Sequence, residues 1–241
     1  MNQREQIIRQ WMGREVHVVV DRPAGYRHGD LVYPVNYGFL PGVMAEDGEE
    51  QDCYILGVEE PLKTFDGWII GAIRREDDRE DKLVAAPLGV EFHQGQILEA
   101  VWFQERYFKS TVDALLRKSC GVIPYRQRQG QREYLVLMQT NGSWSFPKGH
   151  MDPNETETET ALRELREETG LTVTGKPEAT ATLEYPLVPY GRKQVVLYLW
   201  QVCGEVKPQE SEIRAYRWVS ADGLREYLHP DTYKVVRPVL K

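Results

Sequence analysis

Residues 149–171 read GHMDPNETETETALRELREETGL, and this stretch limits what the surrounding chain can fold into more than any other. Thr156 with Glu159 has the spacing of a capping box, in which a hydroxyl and a carboxylate three residues apart serve the free amides of a helix start. Gly170 suits the left-handed cap that ends one. The residues between predict a helix, and at about 100° per residue Glu167 falls about 60° to one side of Glu164 and Glu168 about 40° to the other. Ala161, Leu162 and Leu165 occupy the adjoining apolar face. Like charges at i and i+4, as at Glu164 and Glu168, cost an isolated helix roughly a few tenths of a kcal/mol. Helix stability alone does not select that pair, so the acidic face calls for a positive partner and its apolar neighbour for a core.

The 241 residues, 41% of them hydrophobic, exceed what one compact domain needs and favour two. A net charge of −7 disfavours a phosphate-backbone binder, which shows a clustered positive footprint, so no nucleic-acid partner is expected. Cys53, Cys120 and Cys203 are far apart and form no CxxC pair. They suggest neither a disulfide framework nor a zinc site, and fit a reducing cytoplasm. The opening MNQREQIIRQWMGRE is polar and helix-like, and no run approaches the length of a membrane span. A cytoplasmic protein without a membrane partner is expected, with its oligomeric state, monomer or homodimer, left open.

After the opening helix, residues 16–20 are densely β-branched, and strand-like runs follow at 31–39, 53–58, 67–73 and 82–86 between turns such as AEDGEEQD. Five short strands at this spacing predict a small β-barrel or a strongly bent sheet. Residues 96–118 carry apolar side chains three and four apart and predict a helix broken near 109–111, closing a first domain over 1–112. From Cys120, CGVIPYR and EYLVLMQ flank the turn QRQGQR, and the loop NGSWSFPKGHMDPNE leads into the capped helix. Strands are expected at 179–185, 193–202 and 216–219, then a helix near 221–228 and another after Pro230. This order makes residues 113–241 an α/β layered domain, and the fold class α+β in two domains.

Taken together, Gly149, Glu155, Arg163, Glu164, Leu165, Glu167, Glu168, Gly170 and Leu171 fit the Nudix box without a deviation. A chance match at all of these positions is on the order of one in a billion per window at ordinary residue frequencies, which a merely solvated helix face does not explain. From Cys120 onward the chain resembles the Nudix hydrolases. The resemblance implies an α/β/α sandwich whose box helix binds Mg²⁺ or Mn²⁺ for hydrolysis of a nucleoside diphosphate linked to another group. Hard divalent cations held by carboxylate oxygens neutralise phosphates that would repel hydroxide, and acidify the attacking water. By the same resemblance the Gly149 carbonyl, Glu164, Glu167 and Glu168 form the metal shell. Arg163 orients the glutamates through a bidentate contact, and Glu212, in ESEIRAYRWV, adds a later acidic ligand or base.

The context SWSFPKGHMDPNE, with GRKQVVLYLW and ESEIRAYRW downstream, is similar to the hydrolases of diadenosine tetraphosphate and related polyphosphates, which carry PKGH at this point. That likeness implies phosphate contacts from Lys148 and Lys193 and a base stacked on Tyr185. Trp144 and Phe146 read as packing residues, and His150 as a loop histidine without a role. Asn141, Gly142 and Ser143 depart from the subclass, since they offer no histidine or aromatic to hold a second nucleotide. A mononucleotide or another diphosphate substrate therefore stays open.

Residues 16–107 resemble the barrel-fold soluble inorganic pyrophosphatases. The likeness is carried by YPVNYGF from Tyr33, the acidic run DGEEQD from Asp47, and EDKLVAAP from Glu80. That family holds several Mg²⁺ ions in a crowd of aspartates around pyrophosphate, and the matching positions here are Tyr37, Asp47, Glu49, Asp52, Glu80 and Lys82. VHVVVD offers His17 and Val19 where the family carries a lysine and a glutamate, a family aspartate falls on or near Arg75, and Phe108 stands where a lysine belongs. The shortened loop AGYRHGD has no clear equivalent of the active-site arginine. An arginine beside a metal cluster opposes cation binding, so this second site is expected to be degenerate and its domain non-catalytic.

The expected activity is metal-dependent hydrolysis of a dinucleoside polyphosphate by the second domain. One alternative is a nucleoside triphosphate pyrophosphohydrolase coupled to an active pyrophosphatase barrel. Another is a nucleotide-sensing regulator that no longer catalyses, against which the intact Arg163, Glu164, Glu167 and Glu168 set argues.

Overall fold

The computed structural model describes residues 2–240. They group into two compact units, 2–117 with 186–193, and 118–185 with 194–240. In chain order the two units meet at 117/118, and the short segment 186–193 groups with the first.

In chain order the first unit runs α1 (Gln3–Trp11), β1 (Glu15–Arg22), β2 (Arg27–His28), β3 (Leu31–Val32), β4 (Asn36–Met44), β5 (Glu50–Ile55), β6 (Thr64–Arg75), β7 (Lys82–Ala86), α2 (Gln94–Glu105) and β8 (Ser110–Ala114). β1, β4, β5, β7 and β6 pair in that order and β1 pairs again with β6, closing a five-stranded barrel. Closure removes the unpaired strand edges that five short strands would otherwise expose. Alternation along β5 sends Cys53 and Ile55 into one core with Ile7 and Ile8 of α1, and Tyr54 into another with Ile97 and Val101 of α2.

Two expectations are corrected here. The run 31–39 is not one strand, because Pro34, with no amide to donate, separates β3 from β4. The helix expected over 96–118 stops at Glu105, and the remainder becomes strand, with β8 pairing antiparallel to β6 and Thr111 opposite Arg74. Thr111 and Val112 are β-branched, and an open strand edge to pair with outweighs the helical spacing.

β9 (Leu116–Arg128) leads into the second unit, followed by β10 (Gln131–Gln139), β11 (Trp144–Ser145), β12 (Lys148–His150), α3 (Glu157–Thr169), β13 (Thr172–Val173), β14 (Ala179–Pro186), β15 (Arg192–Cys203), β16 (Ile213–Val219) and α4 (Pro230–Val236). The sheet order is β11-β10-β9-β15-β13, with β12 also on β9, β14 on β15 and β16 on β10. Strand alternation makes two cores. Cys120, Val122, Leu135, Leu137, Val196 and Trp200 pack with Ala161 and Leu165 of α3. Their neighbours Ile123, Tyr134, Val136, Val195 and Leu197 pack with Leu224, Leu228 and Val236 at the C-terminal end. A helix on each face of a sheet is an α/β/α sandwich. The helix expected over 221–228 is only a 3₁₀ turn, Gly223–Glu226, and the α-helix begins at Pro230, where proline's fixed φ and missing amide suit a first turn. Among the described residues no helix is long and apolar enough to cross a membrane.

Candidate active site

The caps of α3 fix the rotation of its acidic face. Thr156 Oγ1 accepts from the Glu159 amide at 3.2 Å, the Glu159 carboxylate accepts from the Thr156 amide at 2.8 Å, and Gly170 ends the helix at φ 70°. With Ala161 and Leu165 buried, Arg163, Glu164 and Glu167 are left in the open or half-open positions.

Arg163 is the hub. Its Nε and Nη2 donate to the two oxygens of Glu155 at 2.6 and 2.9 Å, its Nη1 to Glu164 at 2.6 Å and to Glu167 at 3.1 Å, and its Nη2 also to the His150 carbonyl at 2.9 Å. The bidentate contact expected of this arginine therefore goes to Glu155, with single bonds to the other two glutamates. Thr160 Oγ1 and the Asp152 amide also donate to Glu155, at 2.7 and 3.1 Å. Bonding to Arg163 first, and to these two groups, holds the Glu155 carboxyl at about 2. Spacing marked Glu155 as part of the box, but only tertiary contact reveals it as the anchor of the arginine.

Gly149 lies in β12 opposite Cys120, directly beneath the Glu164 carboxylate, and a methyl group there would overlap it. Close approach, not backbone torsion, favours glycine here, since a methyl would push the end of the Glu164 side chain aside. Glu168 is 3% exposed, and its oxygens accept two long bonds, from Gln139 Nε2 at 3.4 Å and the Lys148 amide at 3.3 Å. Burial pushes its carboxyl up to about 7, with Gln139 and Lys148 offsetting part of the rise and the Glu164 charge adding to it. Burial also raises Glu164. Arg163 opposes that rise, while the charges of Glu167 and Glu212 add to it. Glu212, exposed in the turn before β16, therefore acts on Glu164 through its charge, and its carbonyl accepts from the Thr140 amide at 2.9 Å.

Gly149, Glu164 and Glu168 bring oxygen donors and repelling charge together, a donor set suited to a hard divalent cation, and Glu212 adds to the negative charge at Glu164. Among the described residues no three His, Cys, Asp or Glu side chains form a ready ion cage. Glu164 and Glu167 are turned to Arg163.

Lys148 joins this acidic face to a cavity of about 70 Å³, also lined by Trp144, Phe146, Tyr185, Leu197 and Thr232. A wider groove of about 540 Å³ runs between β14 and α4 and shares Tyr185 and Thr232 with it. Tyr185 is 40% exposed and so is not a core aromatic. Trp144 packs edge-on against Tyr227 at 4.8 Å yet also lines the cavity, beyond the packing role expected of it. Lys193 falls in the segment grouped with the first unit and does not line this cavity. Thr232, and His229 in the wider groove, carried no signal in the sequence, since their part depends on where α4 docks.

In the barrel, Tyr37 Oη and Lys82 Nζ each donate to Asp52 Oδ2 at 2.5 Å. Lys82 also binds Glu80, which accepts from the Asp52 amide at 3.3 Å. Tyr37, Asp52, Glu80 and Lys82 are thus one cluster. Asp47 and Glu49 stay in the exposed turn between β4 and β5, the Glu49 amide donating to Asp47 Oδ1 at 3.0 Å.

The family model for the NUDIX domain matches residues 115–239, and that for inorganic pyrophosphatase matches residues 13–105. The chain is 34% identical over 139 residues to the asymmetrical bis(5'-nucleosyl)-tetraphosphatase of Mus musculus, covering 52% of this chain and 90% of the mouse protein. It is 37% identical over 100 residues to an 8-oxo-(d)GTP phosphatase of Mycolicibacterium smegmatis, covering 41% of this chain and 30% of that protein. A solved C. elegans Ap4A hydrolase binary complex aligns at 26% identity and a TM-score of 0.46, over 51% of this chain and 94% of that one. Proteins of both families generally use divalent metal ions. The NUDIX match over residues 115–239, with the mouse protein covered over 90% of its length, shows that the chain belongs to the NUDIX domain family and is a hydrolase acting on pyrophosphate bonds.

Proposed function

We propose that the second unit hydrolyses a dinucleoside polyphosphate of the diadenosine tetraphosphate type with Mg²⁺ or Mn²⁺, and that the barrel is non-catalytic. The observation that carries this reading is the acidic face of α3, where buried Glu168 and Glu164 above Gly149 sit beside the PKGH segment. The likeness to asymmetrical bis(5'-nucleosyl)-tetraphosphatases supports the substrate class.

The Gly149 carbonyl, Glu164, Glu167, Glu168 and Glu212 would hold the ion. When bound, it supplies neutralisation of phosphate charge and an acidified water. Arg163, braced by Glu155, keeps Glu164 and Glu167 in place. Burial disfavours the charged form of Glu168, and a bound cation would supply the counter-charge that keeps it ionised. Lys148 lines the cavity and its charge acts on Glu168, so its ammonium is suited to a phosphate held between the two. Tyr185 offers an exposed ring to a base, with Trp144 as a second apolar wall. Cys53, Cys120 and Cys203 are free thiols, in keeping with a cytoplasmic setting.

A product-resolved screen of diadenosine tetraphosphate, nucleoside triphosphates and nucleoside diphosphate sugars, each with Mg²⁺ or Mn²⁺, tests the substrate. ATP and AMP are expected from the dinucleotide. No turnover of it, beside good turnover of a nucleoside triphosphate, removes the subclass.

A further inference from the structure

A substrate with a nucleoside at each end of its phosphates needs two nucleoside sites beside one acidic face, and the Lys148 cavity supplies one. The Lys148 amide donates to Glu168 Oε2 at 3.3 Å. Gln139 Nε2 donates to the other oxygen, Glu168 Oε1, at 3.4 Å, and Gln139 pairs across the sheet with Ile213 at the start of β16. The next amide, of Thr140, donates to the Glu212 carbonyl at 2.9 Å. The first residues of β16 are thus tied to one oxygen of Glu168 as Lys148 is tied to the other.

On β16 lies a groove of about 480 Å³, within the size range of small-molecule sites, whose lining includes Arg214, Tyr216, Arg217 and Trp218. Tyr216 and Trp218 stand opposite Leu137 and Leu135, which pack with α3, so they share the α3 face of the sheet. The register then slips. Met138 faces Ala215 but Gln139 faces Ile213, which leaves Arg214 as the extra residue of a bulge, a device that re-aims a side chain beside a site. The Arg126 guanidinium already covers Trp218, 4.1 Å from its ring centre. Tyr216 is 37% exposed and stacks on no other ring among the described residues, so it is the ring left for a base. Arg217 Nη1 donates to the Tyr216 carbonyl at 2.9 Å, and neither Arg217 nor Arg214 pairs with a carboxylate among the described residues. β16 pairs with β10 alone, and arginines by themselves could serve to guard its open edge. An exposed ring between them does not serve that end.

We propose that the β16 groove binds the second nucleotide of the substrate, its base stacked on Tyr216 and its phosphates paired with Arg214 and Arg217. It supplies what Asn141, Gly142 and Ser143 do not. This rests on the reading of the substrate as a dinucleoside polyphosphate, and adds the residues that tell such a substrate from a mononucleotide.

The test is calorimetric titration of the full chain carrying Glu168→Gln, in Mg²⁺, with diadenosine tetraphosphate and with adenosine tetraphosphate, which has the same phosphates and one nucleoside. The dinucleotide is expected to bind more tightly. Adding Tyr216→Ala should weaken it on the order of tenfold and leave adenosine tetraphosphate unchanged, whereas Tyr216→Phe, which keeps the ring, should bind both as before. Arg214→Ala with Arg217→Ala should also weaken the dinucleotide. Equal affinity for the two ligands, or dinucleotide binding that is indifferent to Tyr216→Ala, overturns the proposal and leaves the substrate reading in place. Failure of the dinucleotide to bind this chain and the unaltered chain alike overturns both.

Discussion

Glu155 and Glu168 belong to the same box and are driven in opposite directions by their surroundings, Glu155 down to about 2 by Arg163 and Glu168 up to about 7 by burial. Glu168 ionises near 4.5 in the unfolded chain and near 7 in the fold, so the unfolded state sheds its proton first. Stability without metal should therefore fall as pH rises through this window, by on the order of 3 kcal/mol. Urea titrations in EDTA on either side of the window measure the fall, and Glu168→Gln should lack it. Glu155 has the opposite sign. Its contribution is present above 4.5 and lost as pH falls through about 2, so Glu155→Gln should be less stable at neutral pH and converge on the unaltered protein in acid. At Gly149, a methyl overlapping Glu164 should displace that carboxylate, and Gly149→Ala should lower turnover by on the order of 10²-fold with the fold retained. Steady-state kinetics beside circular dichroism check both halves of that statement. Spacing along the chain brought out Arg163, Glu164, Glu167 and Glu168, because one capped helix presents them together. It did not bring out Glu155 as the partner of Arg163, since that contact is made by the loop ahead of the helix folding back.

Among elements, α3 was the most legible, because local chemistry sets both of its ends. Thr156→Ala removes one half of the capping box and should cost about 1 kcal/mol, read as a shift in the urea midpoint without a change in slope. Where local signals compete with pairing, the sequence misleads. The spacing in 96–118 is helical, yet β6 presents an unpaired edge that Ser110–Ala114 fills. Pro34 is a local signal that should have divided the run 31–39, and the structure divides it there. The cavity beside the acidic face was half legible. Lys148 and Tyr185 stand in recognisable context, whereas Thr232 comes from α4 and Trp144 looked like a packing residue.

For the whole molecule, strand spacing foreshadowed the barrel, element order foreshadowed only a layered α/β domain that the Nudix resemblance made a sandwich, and the barrel's closure through β1 and β6 follows from five short strands needing to hide their edges. The sequence already set Arg75 at or near a family aspartate, and what tertiary contact adds is its partners, Glu105 and Asp78. The full chain should accordingly release no phosphate from added pyrophosphate under conditions where the second unit turns over.

The central claim is that the acidic face of α3 drives hydrolysis of a dinucleoside polyphosphate through a bound divalent ion. It is tested most directly by incubating the full chain and its Glu168→Gln variant with diadenosine tetraphosphate and Mg²⁺ or Mn²⁺ and resolving the products. The account predicts ATP and AMP from the unaltered chain and a loss of several orders of magnitude in the variant, which should stay folded. Unchanged turnover in Glu168→Gln, or no cleavage of the dinucleotide by the unaltered chain, would contradict it.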